Sequence, residues 1–348
     1  MLIKLSKLIG IISLGFLLWF AFLFWKEISD IPPLIETEQY QDLTSPTLGS
    51  PYQRYARKYP DDRQHMTFDS AGVPLIMHSE DLHYHPVYIA QFALGAYEHF
   101  LKHSDQEAEK AFLNSANWLK NNLQPHGQFS FWQYTFEHPV YIGSIKPPWF
   151  SAMAQGLGVS VLLRAYGMTG DVSFLSTARR ALHPLFFDLS AGGLSLLKND
   201  GYLFPQEFSS PLAADVLNGA ITAYLGVYDY CRVTHDPEVE TLATSILNAI
   251  ASNLPHFDAG YWSYYGLQPK YLANYHYHRV HINQLDILYQ ISGNKMFYEY
   301  SKRFEAYYNN PWTRAKFVAM NQVGQLQRIR HPEDIKRAVN SIRRSITF

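Results

Sequence analysis

Two stretches decide the fold, AYGMTGDVSFLSTARRAL at Ala165–Leu182 and VYDYCRVTHDPEVETLATSILNAI at Val227–Ile250. In each, an apolar-periodic segment ends near a tyrosine, a short polar turn follows, and a second amphipathic segment begins. HFLKHSDQEAEKAFLNSANWL at His99–Leu119 and LYQISGNKMFYEYSKRFEAY at Leu288–Tyr307 follow the same scheme. Equivalent apolar positions Phe112, Phe174, Leu242 and Phe297 lie 62, 68 and 55 residues apart. A recurring two-helix unit of this length predicts helical hairpins arranged around an axis, because one hairpin cannot bury its apolar face alone. The expected fold is therefore all-α dominated. Four clear hairpins instead of six make it an incomplete α/α toroid.

Helical periodicity covers Val87–His103, Gln106–Asn122, Phe150–Tyr166, Val172–Leu182, Pro211–Cys231, Pro237–Asn253, His281–Ile291 and Lys295–Tyr308. Between hairpins run three long connections, Pro125–Trp149, Phe186–Ser210 and Pro255–His278, with alternating aromatics and glycines such as GQFSFWQY and GYWSYYGL. Structureless loops of that length are uncommon in compact domains unless they build binding sites. They predict short β-hairpins at one rim, all at the same end because each follows the second helix of a pair. Function is expected there.

The N-terminus reads differently. Leu8–Trp25 is an uncharged run, LIGIISLGFLLWFAFLFW, with Lys4 and Lys7 before it and Lys26, Glu27 and Asp30 after it. Its helical length of about 27 Å approaches a bilayer core, and the charge bias predicts a cytoplasmic N-terminus with the rest of the chain across the membrane. The bulky Phe20–Trp25 end lacks the small residues of a signal-peptide cleavage site. Residues 1–30 are thus expected to form a membrane anchor, 31–80 an extended, proline-punctuated tether or β-hairpin arm, and 81–348 the toroid.

Composition narrows the function. With 47% hydrophobic and 17% charged residues the 348-residue chain can build a large core. Formal charge is −1, so no whole-chain field recruits nucleic acid. One cysteine excludes an intramolecular disulfide and any multi-cysteine zinc site. P-loop, GxGxxG, GxSxG and CxxC patterns are absent. The 16% of aromatic residues fits either a cleft lined with aromatic platforms or an aromatic core.

Four clusters could carry chemistry. WSYYGLQPKYLANYHYHRVHINQL gathers Tyr265, Tyr277, His278, His281 and Asn283. His278 and His281 could share a helix face, but a third ligand is not evident, so no metal is expected. PQEFSSPLAADVLNG places Glu207 before a helix and Asn218 inside it; a carboxylate near a helix N-terminus is also ordinary stabilisation. KPPWFSAMAQGLG holds Trp149 and Gln155 among small residues that permit close helix contact. HYHPVYIAQFALG holds Tyr84 and Gln91. Glu, Tyr and His on rim loops suit proton transfer.

Over roughly Asp81–Tyr308 the sequence resembles the C-terminal domain of D-glucuronyl C5-epimerases, which act on heparosan and heparan sulfate. YHRVHINQL at Tyr277–Leu285, WFSAMAQG at Trp149–Gly156, VLNGAITAYLGVYD at Val216–Asp229 and YHPVYIAQFAL at Tyr84–Leu94 carry the resemblance. It implies inversion of D-glucuronate to L-iduronate in a polysaccharide, without a cofactor, by a proton-transfer group on each ring face. The family's Tyr-His-x-x-His-Ile-Asn-Gln-Leu tyrosine matches Tyr277, the tyrosine of its Tyr-Asp-Leu motif matches Tyr265, and its Glu-Tyr-Pro segment matches Glu207-Phe208-Ser209. Tyr277 and Glu207 are the expected catalytic pair. Trp149, Gln155, Asn218, His278, His281, Asn283, Tyr84 and Gln91 are expected to bind substrate. Phe208 departs from the family's tyrosine, and Gly266 and Gln268 replace an Asp and an Arg, which weakens carboxylate recognition. The family's membrane anchoring agrees with the N-terminal reading, and its dimers allow a homodimer in which Pro332–Phe348 takes part.

Other readings stand beside this one. A polysaccharide lyase begins with the same C5 proton abstraction. A glycoside hydrolase needs two carboxylates, for which Glu207, Asp215 and Asp258 are available. A catalytically inactive glycan-binding protein fits the departures at Phe208 and Gln268.

Overall fold

The computed structural model describes residues 65–327 except 142 and 213, together with short stretches at 25–26, 28, 31–32, 34, 43–52 and 59. Four helical hairpins follow one another: α1 (Pro86–His103) with α2 (Gln106–Asn121), α3 (Ala152–Thr169) with α4 (Val172–Leu182), α5 (Leu217–Thr234) with α6 (Pro237–Asn253), and α7 (Tyr275–Ser292) with α8 (Lys295–Asn309). A further helix, α9 (Pro311–Gln327), packs on α8.

One local device makes all four hairpin turns. The first helix ends in a left-handed residue, and the next residue is an Asp or Asn whose side chain caps the second helix. The pairs are Ser104-Asp105, Gly170-Asp171, His235-Asp236 and Gly293-Asn294. The left-handed residue stops the first helix while its amide satisfies an otherwise orphaned carbonyl. The carboxylate or amide oxygen then accepts from free amides of the next helix, which tilts the chain straight into the antiparallel partner.

The first helices of the hairpins neighbour one another in the order α1, α3, α5, α7. The closest approach is between α3 and α5. A Cβ on Gly156 would fall 2.6 Å from Ala223 Cα, and one on Gly226 would fall 2.1 Å from the Gly156 carbonyl. Only glycine permits that backbone contact.

At the C-terminal ends of these helices lies a buried ionic centre. Asp229 accepts from Tyr52 Oη at 2.6 Å, Ser160 Oγ at 2.7 Å and Arg164 Nη1 at 2.8 Å, with Arg232 Nη1 at 3.5 Å. Both guanidinium groups also donate outward, Arg164 to the Gly49 carbonyl and Arg232 to the Ser45 carbonyl, and so pin residues 43–52 to the base of the helices. Asp229→Ala leaves two buried cations without their carboxylate. The expected loss is roughly 3–5 kcal/mol of unfolding free energy, read from denaturant melts.

The connections between hairpins carry paired strands. After β1 (Thr67–Phe68), β2 (Pro74–His78) and β3 (Asp81–His83) come β4 (Gln124–His126) with β5 (Phe129–Phe131) and β6 (His138–Pro139) with β7 (Ser144–Ile145). Next are β8 (Ser195–Leu197) with β9 (Leu203–Pro205), then the sheet of β10 (Ala214–Val216), β11 (Tyr264–Gln268) and β12 (Lys270–Leu272). β10 pairs antiparallel with β11, Val216 opposite Gly266. That pairing fastens the connection before α5 to the connection before α7, about fifty residues later.

The expected fold is corrected at the N-terminus. It included a transmembrane helix at Leu8–Trp25, but among the described residues no helix is long and apolar enough to cross a membrane. The described helices owe their apolar character to faces buried in one shared core, and their other positions are polar, as in α2 and α8. The expected span itself lies outside the described residues apart from Trp25, and so does Pro332–Phe348. The start of α5 also differs from expectation. The segment from Pro211 does not enter the helix until Leu217, because Ala214–Val216 is held as a strand and Asp215 takes φ +58°.

Candidate active site

Glu207 lies on the loop between β9 and β10. Gln206 O accepts from the Ala152 amide at 3.0 Å, and the Ser209 amide donates to the Phe150 carbonyl at 2.9 Å. Gln206 and Asp215 hold one another: the Asp215 amide donates to Gln206 Oε1 at 2.8 Å, and Gln206 Nε2 donates to Asp215 Oδ1 at 3.1 Å. The loop is thereby fastened to the start of α3 on one side and to β10 on the other. The carboxyl group rests on the first turn of α5, where a Cβ on Gly219 would meet Glu207 Oε2 at 2.5 Å and its Cβ at 2.7 Å.

Tyr265, on β11, donates to this carboxylate, with its hydroxyl 3.3 Å from Oε1 and 3.4 Å from Oε2. Tyr277, in the first turn of α7 capped by Asn274, sets its ring edge-on to Tyr265 at 4.7 Å. The three groups predicted to do chemistry thus share one compartment. Burial pushes Glu207 up from 4.5 to about 7, tempered by the Tyr265 hydroxyl. Burial raises Tyr265, with the charges of Glu207, Tyr277 and Tyr271 adding to it. Burial and then Glu207 raise Tyr277, while the Tyr265 hydroxyl works against them. At neutral pH the carboxyl is therefore balanced between its two forms and both phenols keep their protons.

Aromatic rings wall this group. Tyr134 and Trp149 stack at 3.7 Å, and Trp149 Nε1 donates to the Phe136 carbonyl at 2.8 Å. Phe136, Phe208 and Tyr265 belong to the same buried cluster, against which Tyr271 and Tyr277 pack. Tyr134 was not singled out from the sequence, although its hydroxyl accepts from the Val87 amide at 3.4 Å and its pKa, raised first by burial, also feels the Glu207 charge. Its signal was the GQFSFWQY alternation. Gly219 was also missed; a glycine in a helix costs about 1 kcal/mol against Ala, so its presence there was the hint.

Other expected substrate residues are occupied elsewhere. Gln155 donates to the Ser130 and Ala181 carbonyls at 3.0 and 2.7 Å and accepts from the Trp132 amide at 3.3 Å, which braces β5 and α4. His278 stacks on Trp262 at 3.9 Å and bonds the Phe304 carbonyl and Ser263; burial lowers it to about 3, so it is a neutral core histidine. His281 is buried against Ser263 Oγ at 2.8 Å. The backbone carbonyl of Asn218 accepts from Thr222 and Gln284 beside Gly219, while its side-chain Oδ1 is buried and, among the described residues, accepts no hydrogen bond. Tyr84 is on the surface, bonded to Asp69 at 2.8 Å. Asn283 and Gln91 are half-buried and, among the described residues, do not hydrogen-bond the Glu207 group. Trp149 of this set lies in the aromatic cluster that holds Tyr265.

A second carboxylate is not joined to Glu207 by any hydrogen bond among the described residues. Asp215 is taken by Lys198, Gln206 and Gln268, and Asp258 by Arg303 and the Gly260 amide. Among those residues no group of three or more His, Cys, Asp or Glu is placed to hold a metal ion.

The family model described as D-glucuronyl C5-epimerase C-terminus matches residues 126–306, just over half of the chain. The chain belongs to this family. A D-glucuronyl C5-epimerase of Caenorhabditis elegans is 28% identical over 222 residues, covering 58% of this chain and 35% of that protein. An uncharacterized protein of Methanocaldococcus jannaschii is 33% identical over 179 residues, 51% of this chain and 57% of that one. The chain thus spans less than two thirds of either relative. Within the C5-epimerase family match lie Glu207, Tyr265 and Tyr277, together with Tyr134 and Trp149.

Gly219→Ala is the mildest test of this geometry. The added methyl displaces the Glu207 carboxyl while helix propensity improves, so thermal stability should hold within about 1 kcal/mol. Turnover should fall about 100-fold, as expected of a misplacement on the order of 1 Å.

Proposed function

We propose that the protein inverts C5 of D-glucuronate units in an unsulfated, heparosan-like polysaccharide. The observation that carries this reading is Tyr265, a buried phenol that donates to a carboxyl poised at about 7 and packs edge-on against a second phenol. The Glu207 carboxylate takes the proton as the C5–H bond breaks, and the electron pair passes into the uronate carboxyl group as an enolate. Tyr277 delivers its proton to C5 from the other face, which forms the new C–H bond and leaves a phenolate. Tyr265 then passes its proton to Tyr277 and takes one from Glu207, and these O–H protons exchange with water between turnovers, restoring the starting state. Family membership and the name of the nematode relative support the epimerase class. Near-zero net charge supports a lightly charged substrate over a densely sulfated one.

Heparosan incubated with the protein should yield iduronate, measured by nuclear magnetic resonance, at unchanged chain length. Shortened chains with ultraviolet-absorbing unsaturated ends would make it a lyase instead.

A further inference from the structure

The uronate carboxyl group gains negative charge when C5 loses its proton, and a site that promotes this step needs a positive partner for it. Among the described residues no lysine or arginine hydrogen-bonds or ion-pairs with Glu207, Tyr265 or Tyr277. Gln268, where the family resemblance expects an arginine, turns to Asp215 Oδ2 at 3.2 Å.

Histidines stand at the rim of the same aromatic cluster. His78, at the end of β2, lies 4.8 Å from the Phe136 ring. His138, opening β6, stacks on Phe208 at 5.1 Å and reaches Trp149 at 5.3 Å. Two neighbours around Phe136 are engaged, His83 with Thr135 Oγ1 at 3.2 Å and His85 as acceptor from the Tyr88 amide. Among the described residues no hydrogen bond takes a ring nitrogen of His78 or His138, and both are half-buried. Phe208, on which the His138 ring stacks, follows Glu207 in the chain and belongs to the buried cluster that includes Tyr265.

We propose that His78 and His138 form the carboxylate-binding subsite for the uronate unit, supplying charge that no arginine or lysine gives this site. The identity of the anionic sugar rests on the epimerase reading. Each imidazolium can donate an N–H to one carboxylate oxygen of a uronate unit at the rim of this aromatic cluster. Burial and the neighbouring His78 hold His138 below its ordinary value when the site is free. A bound carboxylate favours the charged form of His138, so binding takes up a proton and strengthens as pH falls.

Other groups facing His138 fix how this must be tested. On its own hairpin, Glu137 is held by Lys146 and Ser144 below the usual carboxylate range, so it stays ionised and paired. His78 faces it from β2, with His83 on β3 and His85 at the start of α1 beyond Phe136. Glu207, at about 7, also loses charge in the same window and would relieve repulsion of a carboxylate. Binding is therefore measured in the Glu207→Gln protein, where that contribution is gone.

Calorimetry with a heparosan hexasaccharide should show about tenfold tighter binding at pH about 5.5 than at about 7.5, one proton-linked contact being worth about that much. Adding His78→Gln and His138→Gln together should reduce the ratio to less than about twofold. The carboxyl-reduced hexasaccharide should bind with no pH dependence to every protein, which also reports that the pocket is folded. The subsite is overturned if the ratio survives both substitutions, if the carboxyl-reduced sugar shows it too, or if neither sugar binds. Failure of the wild-type protein to make iduronate would remove the epimerase reading and leave pH-dependent carboxylate binding as its own result.

Discussion

Glu207→Gln is expected to abolish inversion, with a loss of about 1,000-fold or more in kcat and little change in KM. A positioned proton-transfer group typically contributes 10²–10⁴-fold, and the amide can accept no proton. The residual rate should also lose its pH dependence near neutrality. In the wild-type protein the rate should rise as pH passes through about 7, because the carboxylate form takes the C5 proton. Stability gives an independent reading with the opposite sign. A carboxyl group raised in the folded state contributes stability that is present below its unfolded value near 4.5 and lost as pH rises through about 7. Glu207→Gln should therefore stabilise the protein above neutral pH, by roughly 3 kcal/mol at most, and leave it unchanged at pH about 4. Melting curves at the two pH values measure the difference.

Tyr277→Phe is expected to cost about 100- to 10,000-fold in inversion, since the phenyl ring keeps the edge contact with Tyr265 but has no proton to return. Exchange without inversion is the distinguishing result. Glu207 would still remove the proton and could return one from solvent to the same face, so C5 hydrogen would wash out while iduronate fails to appear. Tyr265→Phe should act differently. It removes the hydroxyl that holds Glu207 down, so the neutral limb of the rate profile should move to higher pH while part of the activity remains.

The hairpins were legible because their signal is local. Ser-Asp, Gly-Asp, His-Asp and Gly-Asn at the four turns each combine a helix stop with the next helix's cap. The start of α5 was not legible, since the pairing that holds Ala214–Val216 as a strand comes from β11 far along the chain. Polar residues in apolar helices were ambiguous for a related reason. Gln155 and His278 read equally as cavity-lining or as internal braces, and only the partners Ser130, Ala181 and Phe304 decide for bracing. Glu207, Tyr265 and Tyr277 were found through motif resemblance. Tyr134 and Gly219 reach the site by tertiary placement, at which the GQFSFWQY alternation and a glycine inside a helix only hint.

The central claim is that one uronate carbon exchanges its hydrogen with the solvent through Glu207 and Tyr277. Heparosan turned over in heavy water and analysed by mass spectrometry and nuclear magnetic resonance tests it most directly. Deuterium should appear at C5 of every iduronate formed. Iduronate made without deuterium at C5, or no exchange in any glucuronate polymer, would contradict the account.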